Sequence, residues 1–321
     1  MILSIVVPCY NESEVISETS KRLTSVLEGL ICKRLVSPDS FVLFVNDGSR
    51  DNTWELITEL YKTNKYISGV NLAGNVGHQN ALMAGLTVAK DMSDVAISID
   101  ADLQDDVSVI EEMVKKYGEG FDIVYGVRKS RQKDTFFKRT TALGFYKLMT
   151  GLGVKSVYNH ADYRLMSKRA LEQLMKFRER NLFLRGIVPL IGYNTTNVYY
   201  DRHERFAGES KYPLSKMLNF AIDGITSFSV KPVRLIFGAG VFFLLITICA
   251  FLYTLYSYFT GDIVAGWASL MLSVWFIGAL VLISIGVVGE YIGKIYIEVK
   301  DRPRYNIETI LTHKKSLESK Y

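Results

Sequence analysis

The sequence predicts an α/β domain with a mostly parallel sheet, followed by two helices that cross a membrane. Short apolar segments rich in Val and Ile alternate with amphipathic segments as far as Gly126, and polar clusters follow three of the apolar ones. Later in the chain, two long stretches contain no charged residue. The 321 residues leave room for both parts, since a domain of ordinary size needs only about 100–200 residues.

The alternating segments predict the sheet. Strands are expected in the runs LSIVVP, FVLFVND, ISGVNL, VAISID and DIVYG, and a later one in TTNVYY. The helices predicted between the first five are Val15–Leu30, Trp54–Lys62, Gln79–Ala89 and Ile110–Tyr117. This alternation favours parallel strands with helices on both faces. Ligands of such sheets bind beyond the carboxyl ends of the strands, where the polar clusters PCYNE, NDGSRDNT and DADLQDD lie.

The two charge-free stretches, Leu235–Gly261 and Ile263–Gly289, have 27 residues each. As helices they would each reach roughly 40 Å, more than the hydrocarbon core of a bilayer requires. Buried core helices are the alternative, but such helices are seldom this long and this free of charge. Lys and Arg residues flank the pair at its outer ends and are absent from the connecting loop. Both chain ends are therefore expected in the cytoplasm.

These patterns set the predicted domain boundaries. Residues 1–212 form a cytoplasmic domain, and residues 213–230 form an amphipathic helix that lies in the headgroup layer or packs on that domain. Residues 231–293 contain the two membrane helices, at about 235–259 and 266–289, and residues 294–321 form a cytoplasmic tail. The expected location is the cytoplasmic membrane, with a multi-pass topology.

Several other classes of protein are disfavoured by the sequence. The three cysteines are odd in number and widely spaced, so they indicate neither a disulfide framework nor a zinc site. The net charge of +5 is modest, and no nucleic-acid partner is expected. The sequence has no Gly-Lys-Ser/Thr loop and no G-x-G-x-x-G after the first strand, which argues against a P-loop protein and a dinucleotide dehydrogenase.

The acidic run DADLQDD, Asp100 to Asp106, contains four aspartates. In an extended chain Asp100 and Asp102 project on the same side, and Gln104 continues the row. Neighbouring carboxylates repel each other unless a cation lies between them, and oxygen ligands suit Mg²⁺ or Mn²⁺. A solvated acidic turn is the alternative interpretation.

The remaining polar side chains have local alternatives. Asp105 and Asp106 are expected to cap the next helix, although a capping box of Ser108 with Glu111 could do the same. Asp47 could accept hydrogen bonds from a base or ribose, or simply form a turn. Asn11 and Glu12 could contact the same ligand, or cap the helix that follows. His78 is interpreted as structural rather than catalytic.

The ordered motifs SIVVPCYNE, VNDGSRDNT, NVGHQNALMAGL, SIDADLQDD, ADYRLM and RFAGESKY precede the two spans. This set resembles the polyprenyl-phosphate glycosyltransferases of glycosyltransferase family 2, in particular the bactoprenol glucosyltransferase group, relatives of dolichol-phosphate mannose synthase. The resemblance covers nearly the whole chain. It implies a GT-A fold, a nucleotide-sugar donor, a divalent metal and an inverting transfer to a lipid phosphate. The Gln-x-x-Arg-Trp motif of processive relatives such as cellulose synthase is absent, which favours one sugar per acceptor.

The same resemblance implies roles for individual residues. The nucleotide would be bound by Pro8, Tyr10, Asn11, Glu12, Asp47 and Asp100. The metal, Mg²⁺ or Mn²⁺, would be held by Asp100, Asp102 and Gln104. The basic residues suited to the acceptor phosphate or the donor diphosphate are Arg128, Arg139, Arg164, Arg205 and Lys211. Asp162 stands at the position of the base proposed for the family. Asp162 and Asp102 are the expected catalytic residues.

The expected function is transfer of one hexose from a nucleotide sugar to undecaprenyl or another polyprenyl phosphate, giving a lipid-linked sugar for cell-envelope glycans. UDP-glucose is the favoured donor, with UDP-N-acetylglucosamine and GDP-mannose as alternatives. Because a phosphate monoester is largely deprotonated at neutral pH, Asp162 is expected mainly to orient Arg164 or the acceptor. A non-enzymatic protein that helps to translocate lipid-linked sugars is the competing hypothesis. Glycines in the spans, including Gly238 and Gly240, would allow close helix contacts and hence a homo-oligomer.

Overall fold

The computed structural model describes residues 1–129, 160–180, 182–201, 231–260 and 266–314. These residues separate into two compact units. The first unit holds the described residues up to Asp201 together with 302–314, and the second holds the two long helices between Lys231 and Asp301. Residues 213–230, where an amphipathic helix is predicted, lie outside the described residues.

The first unit is built on a sheet of eight strands. They are β1 (Leu3–Cys9), β2 (Phe41–Asn46), β3 (Ile67–Leu72), β4 (Val95–Ser98), β5 (Ile123–Arg128), β6 (His160–Ser167), β7 (Thr195–Tyr200) and β8 (Ile307–Leu311). Their order across the sheet is β7-β5-β6-β4-β1-β2-β3-β8. Of these strands, all run in one direction except β6 and β8, which pair antiparallel to their neighbours. The α/β class and the mostly parallel sheet are therefore confirmed.

In the described part of the chain, six α-helices lie between strands of this sheet. They are α1 (Ile16–Cys32), α2 (Thr53–Thr63), α3 (His78–Met92), α4 (Ile110–Gly118), α5 (Lys168–Leu174) and α6 (Leu184–Ile187). The first four correspond to the four helices predicted from the sequence. The strands β1 and β2 are buried at every position, and this is why both are continuous apolar runs instead of alternating ones.

The helix α3 packs closely on the centre of the sheet. A Cβ atom added at Gly85 would lie 2.5 Å from Val6 Cγ1 and 2.6 Å from Val45 Cγ2. Only glycine leaves enough room for this approach of helix to strands. Because α3 follows β3, its first residues, His78 and Gln79, lie at the carboxyl edge of the parallel strands.

The two antiparallel strands were not predicted. β6 lies between β4 and β5, so the ADYRLM motif is part of the sheet. β8 pairs with β3 and lies within the predicted cytoplasmic tail. There, Asn71 Nδ2 donates to Glu308 Oε2 (2.6 Å), and Tyr61 stacks on His313 at 4.2 Å. Residues 307–311 of the predicted cytoplasmic tail form a strand, and this strand covers an edge that β3 would otherwise leave unpaired.

The second unit consists of α7 (Lys231–Thr260) and α8 (Trp267–Lys300). They overlap the two predicted spans, and α8 continues beyond the predicted end at about residue 289. Their apolar side chains include exposed ones such as Phe237, at 75%, and Trp275, at 75%. Within the described residues, one helical segment, Ser273–Lys300, is long and apolar enough to cross a membrane, and Val233–Phe243 is a shorter apolar segment.

Candidate active site

Hydrogen bonds join the loops that follow β1 and β2. Asn11 has a left-handed backbone with φ 54°; its Oδ1 accepts from the Arg50 N–H (2.8 Å), and its N–H donates to Ser49 Oγ (3.0 Å). The Glu12 N–H donates to Thr53 Oγ1 (3.0 Å). Both predicted nucleotide-binding residues therefore lie at the expected edge of the sheet, and the side chain of Asn11 already holds the two loops together.

Tyr10 and Pro8 differ in accessibility. Tyr10 is 39% exposed, so its ring offers a surface on which a planar group could stack. Pro8 is buried inside β1, opposite Val45 of β2. The contact of Pro8 with a nucleotide stays a prediction.

Asp47 is buried, and its carboxylate binds the loop before α3. Oδ1 accepts from the Val76 N–H (2.7 Å), and Oδ2 accepts from the Gly77 N–H (3.0 Å) and Asn75 Nδ2 (3.1 Å). Burial raises the pKa of Asp47, while the Val76 and Gly77 N–H groups act in the opposite direction. Beside it, Gly48 has φ +61°, and a Cβ there would lie 2.5 Å from Asn75 N. These contacts fit the turn-forming alternative for Asp47.

The acidic loop after β4 turns instead of continuing as an extended chain. Thr19 Oγ1 donates to the Ala101 carbonyl (2.8 Å), and the Gln104 N–H donates to Asp102 Oδ1 (3.1 Å). Gln104 was grouped with Asp100 and Asp102 because every second side chain of an extended chain faces the same way. The turn breaks this alternation of side chains within the loop. Asp100 stays at the start of the turn with its side chain 36% exposed.

The last two aspartates of the run have different roles. Asp106 accepts from the Ser108 N–H (2.9 Å) and caps the short 3₁₀ turn before α4, so its predicted capping role is confirmed. The prediction is wrong for Asp105, whose side chain is 1% exposed. Asp105 Oδ1 accepts from Arg128 Nη2 (3.0 Å) and from the Tyr200 hydroxyl (2.5 Å). Asp105 thus links the acidic loop to the ends of β5 and β7.

Asp162 and Arg164 lie two residues apart on β6 and form an ion pair. Asp162 Oδ1 accepts from Arg164 Nη2, and Oδ2 accepts from Arg185 Nη2 (3.2 Å). The side chain of Arg164 is 1% exposed, and its Nη1 donates to the Leu184 carbonyl (3.3 Å). The expected contact of Arg164 with a substrate phosphate does not agree with this burial. Arg164 is instead an internal partner of Asp162.

His78 lies between the acidic loop and β6. Its Nε2 is 3.5 Å from Asp100 Oδ1 and 3.8 Å from Asp162 Oδ2, and its side chain is 42% exposed. The structure therefore brings Asp100 and Asp162, which are far apart in sequence, close to the same imidazole nitrogen. This position makes His78 part of the site, in contrast to the structural role inferred from the sequence.

The carboxylates of Asp100 and Asp162 have opposite electrostatic surroundings. The pKa of Asp100 is raised to about 6, chiefly by desolvation and also by the neighbouring Asp105, Asp162 and Asp102, while His78 acts in the opposite direction. Burial also raises the pKa of Asp162, but Arg185, Arg164 and His78 more than offset this and hold the pKa well below its usual range. A carboxylate stabilised in this way is a weak proton acceptor. This agrees with the expectation that Asp162 mainly orients other groups.

Arg185 and Gln79 were not identified from the sequence. Arg185 reaches Asp162 as described, and Gln79 Oε1 accepts from the Leu184 N–H (2.8 Å) across 105 positions of sequence. No local pattern indicates contacts over such a separation. The available signal was the motif GHQN, in which a histidine and a glutamine open a helix at the carboxyl edge of the sheet.

Two family models match this chain. Residues 4–175 match glycosyl transferase family 2, and residues 231–295 match the GtrB C-terminal hairpin. The chain belongs to glycosyl transferase family 2. The resemblance described from the motifs is confirmed, as is the prediction that the protein is an enzyme, a glycosyltransferase. The GT-A fold class follows with it, and the non-enzymatic alternative is set aside.

Individual relatives of this glycosyltransferase match over most of their length. It is 58% identical to the uncharacterized glycosyltransferase YkoT of Bacillus subtilis (strain 168), over 96% of this chain and 91% of that one. It is 40% identical to the SfII prophage-derived bactoprenol glucosyl transferase of Shigella flexneri, over 96% of this chain and 98% of that one. Among solved structures, glucosyl-3-phosphoglycerate synthase from Mycobacterium tuberculosis in complex with phosphoglyceric acid is 17% identical, with a TM-score of 0.47, over 71% of this chain and 78% of that one.

Asp100 and Asp102 are suited to holding a divalent cation. Both are oxygen ligands, and the negative charge gathered around Asp100 raises its pKa, as expected where carboxylates crowd together. Among the residues described, no group of three or more His, Cys, Asp or Glu side chains could hold a metal ion by itself. Other ligands would include phosphate oxygens and water, as is usual for Mg²⁺.

The structure describes only some of the basic residues that the family resemblance assigns to phosphate binding. Arg128 is 24% exposed and ion-paired with Asp105. Arg139, Arg205 and Lys211 lie outside the described residues.

Proposed function

We propose that this glycosyltransferase transfers one hexose from a nucleotide sugar to undecaprenyl or another polyprenyl phosphate, with inversion at the anomeric carbon and with a divalent metal. The observation that carries the proposal is the convergence of Asp100, His78, Asp162 and Arg185 beyond the carboxyl end of β4. Relatives named bactoprenol glucosyl transferase support a polyprenyl acceptor and a glucosyl donor. UDP-glucose is therefore the favoured donor, and UDP-N-acetylglucosamine and GDP-mannose are the alternatives.

In the proposed reaction, an oxygen of the acceptor phosphate attacks the anomeric carbon. The bond from that carbon to the diphosphate breaks, and its electron pair leaves with the nucleoside diphosphate. The second pKa of a phosphate monoester is ~6, so the attacking oxygen needs little help from a base at neutral pH. Asp162 is proposed to hold Arg164 and Arg185 in place. A metal held by Asp100 and Asp102 would stabilise charge on the departing diphosphate.

The remaining residue assignments rest on the family resemblance. Tyr10, Asn11 and Glu12 are proposed to line the nucleotide pocket, and their common position at the edge of β1 supports this. Gln104 is proposed as a further metal ligand. Arg128, with the residues Arg139, Arg205 and Lys211, is proposed to bind substrate phosphates.

The helices α7 and α8 are proposed to anchor the enzyme in the cytoplasmic membrane as a hairpin, with residues 1–212 on the cytoplasmic side. The charge-free stretches, the match to the GtrB C-terminal hairpin and the exposed apolar side chains support this proposal. Among the described residues, a Cβ added at Gly238 or Gly240 would meet nothing within 4 Å. These glycines are proposed as the place where a helix of a second copy of the chain packs closely.

The test uses the full-length enzyme in lipid nanodiscs with undecaprenyl phosphate and a panel of nucleotide sugars. Release of nucleoside diphosphate that requires both the lipid and one particular sugar nucleotide is the expected result. Undecaprenol, which lacks the phosphate, is the matched acceptor control. A chelator should abolish turnover, and Mg²⁺ or Mn²⁺ should restore it. Release that is equal with and without the lipid phosphate would contradict the proposed acceptor.

A further inference from the structure

Arg185 occupies an unusual place in the site. Its guanidinium lies 3.2 Å from Asp162 Oδ2 and its side chain is 34% exposed. The other guanidinium on Asp162 belongs to Arg164, which is 1% exposed. Asp162 therefore binds two cations, one enclosed in the protein and one at the surface of the site. A single buried guanidinium would already satisfy the charge of this carboxylate.

Leu184, the residue just before Arg185, is held at both of its backbone polar groups. The Leu184 N–H donates to Gln79 Oε1 (2.8 Å), and the Leu184 carbonyl accepts from Arg164 Nη1 (3.3 Å). Gln79 is next to His78, whose ring lies 3.5 Å from Asp100. The backbone at Arg185 is thus tied to β6, which carries Asp162, and to the first turn of α3, where His78 lies beside Asp100. Such fixation reduces the entropy lost when a long side chain binds a ligand.

We infer that Arg185 is a further substrate-binding residue of this site, which contacts a phosphoryl oxygen of the donor diphosphate or of the acceptor phosphate. The planar guanidinium donates in a fork that matches two phosphate oxygens, and Asp162 holds it at the edge of the acidic cluster. This surface cation places positive charge where two anionic substrates have to approach each other. The inference rests on the proposed function for the identity of the two phosphates.

The experiment measures equilibrium binding to the full-length enzyme in detergent, so that it does not depend on turnover. Four probes are used as two pairs, UDP with uridine and a short-chain polyprenyl phosphate with the corresponding polyprenol. Arg185→Gln removes the charge and Arg185→Lys keeps it without the fork. Arg178→Gln is the matched control, because Arg178 is an exposed arginine in the connection between α5 and α6, shortly before the helix that carries Arg185.

Arg185→Gln should weaken one phosphate-bearing probe by about tenfold to a hundredfold, the usual effect of losing a charge-assisted hydrogen bond. The partner probe without phosphate should change less than about twofold, Arg185→Lys should be intermediate, and Arg178→Gln should match the wild type. Weakened UDP binding assigns Arg185 to the donor, and weakened polyprenyl phosphate binding assigns it to the acceptor.

Two results would overturn the inference. One is unchanged binding of both phosphate probes in Arg185→Gln. The other is an equal loss for each phosphate probe and its phosphate-free partner, which would show that Arg185 only supports the shape of the site. A wild-type enzyme that binds UDP but transfers no sugar to the lipid would contradict the proposed function. The comparison of UDP with uridine would still test whether Arg185 contacts a phosphoryl oxygen.

Discussion

Replacing Asp162 by Asn tests the buried ion pair on β6. The substitution keeps the shape of the side chain but removes the charge that faces Arg164, whose side chain is 1% exposed. Removing one partner of a buried pair typically costs 3–5 kcal/mol. Because Asp162 is itself 13% exposed, we expect the lower end, about 3 kcal/mol. For a domain of this size, that loss corresponds to a decrease in Tm of about 6–12 °C.

The assay is thermal unfolding of the full-length enzyme in detergent, with the double variant Asp162→Asn/Arg164→Met as control. The double variant leaves no unpaired buried charge on β6, so it should recover at least half of the lost stability. Two results would refute the reasoning. One is a double variant whose loss of stability is the sum of the losses from the two single substitutions. The other is an Asp162→Asn protein as stable as the wild type.

The same variant separates the two roles considered for Asp162. Because its pKa is held low by the two arginines, we expect the ratio of variant to wild-type activity to stay constant between about pH 6 and 9. A variant that is inactive at pH 6 and recovers strongly at pH 9 would show that Asp162 takes a proton in the reaction, and would contradict the orienting role.

Three other substitutions test the fold around the site. Gly85→Ala should destabilise the enzyme by about 1–3 kcal/mol through overpacking, whereas Gly29→Ala, with nothing within 4 Å of its added Cβ, should be neutral or stabilising in the same thermal assay. Arg169 lowers the pKa of Asp122 in the folded protein. The ionised carboxylate therefore stabilises the fold at any pH above the pKa that Asp122 has in the unfolded chain. This stabilisation is lost as the pH falls through the lower pKa of the folded state. The difference in Tm between wild type and Asp122→Asn should accordingly shrink below about pH 4, and a constant difference would contradict this. Asp105→Asn should cost about 1–3 kcal/mol by weakening its bonds to Arg128 and Tyr200, and an unchanged Tm would show that this link is not stabilising.

Much of the sheet was predictable because its signals are local. The parallel strands β1 to β5 are continuous or nearly continuous apolar runs, and their helices have regular apolar spacing. β6 escaped prediction because it mixes charged residues into a strand, and these residues are stable there only through partners such as Arg185 on a distant segment. Burial of Asp105 was missed for a similar reason. Its local sequence is that of a helix cap, and only the distant ends of β5 and β7 make an inward position stable.

The position of β8 affects how the protein is made. The bond from Asn71 to Glu308 joins residues 237 positions apart, and both proposed membrane helices are synthesised between the two. At about 5–20 residues per second, β3 emerges from the ribosome roughly ten to fifty seconds before its edge partner. During that interval a strand edge with free N–H and C=O groups is open to pairing with other chains. If α7 and α8 insert into the membrane as proposed, both are synthesised before the sheet is complete, and a chain halted after α8 would expose the edge of β3.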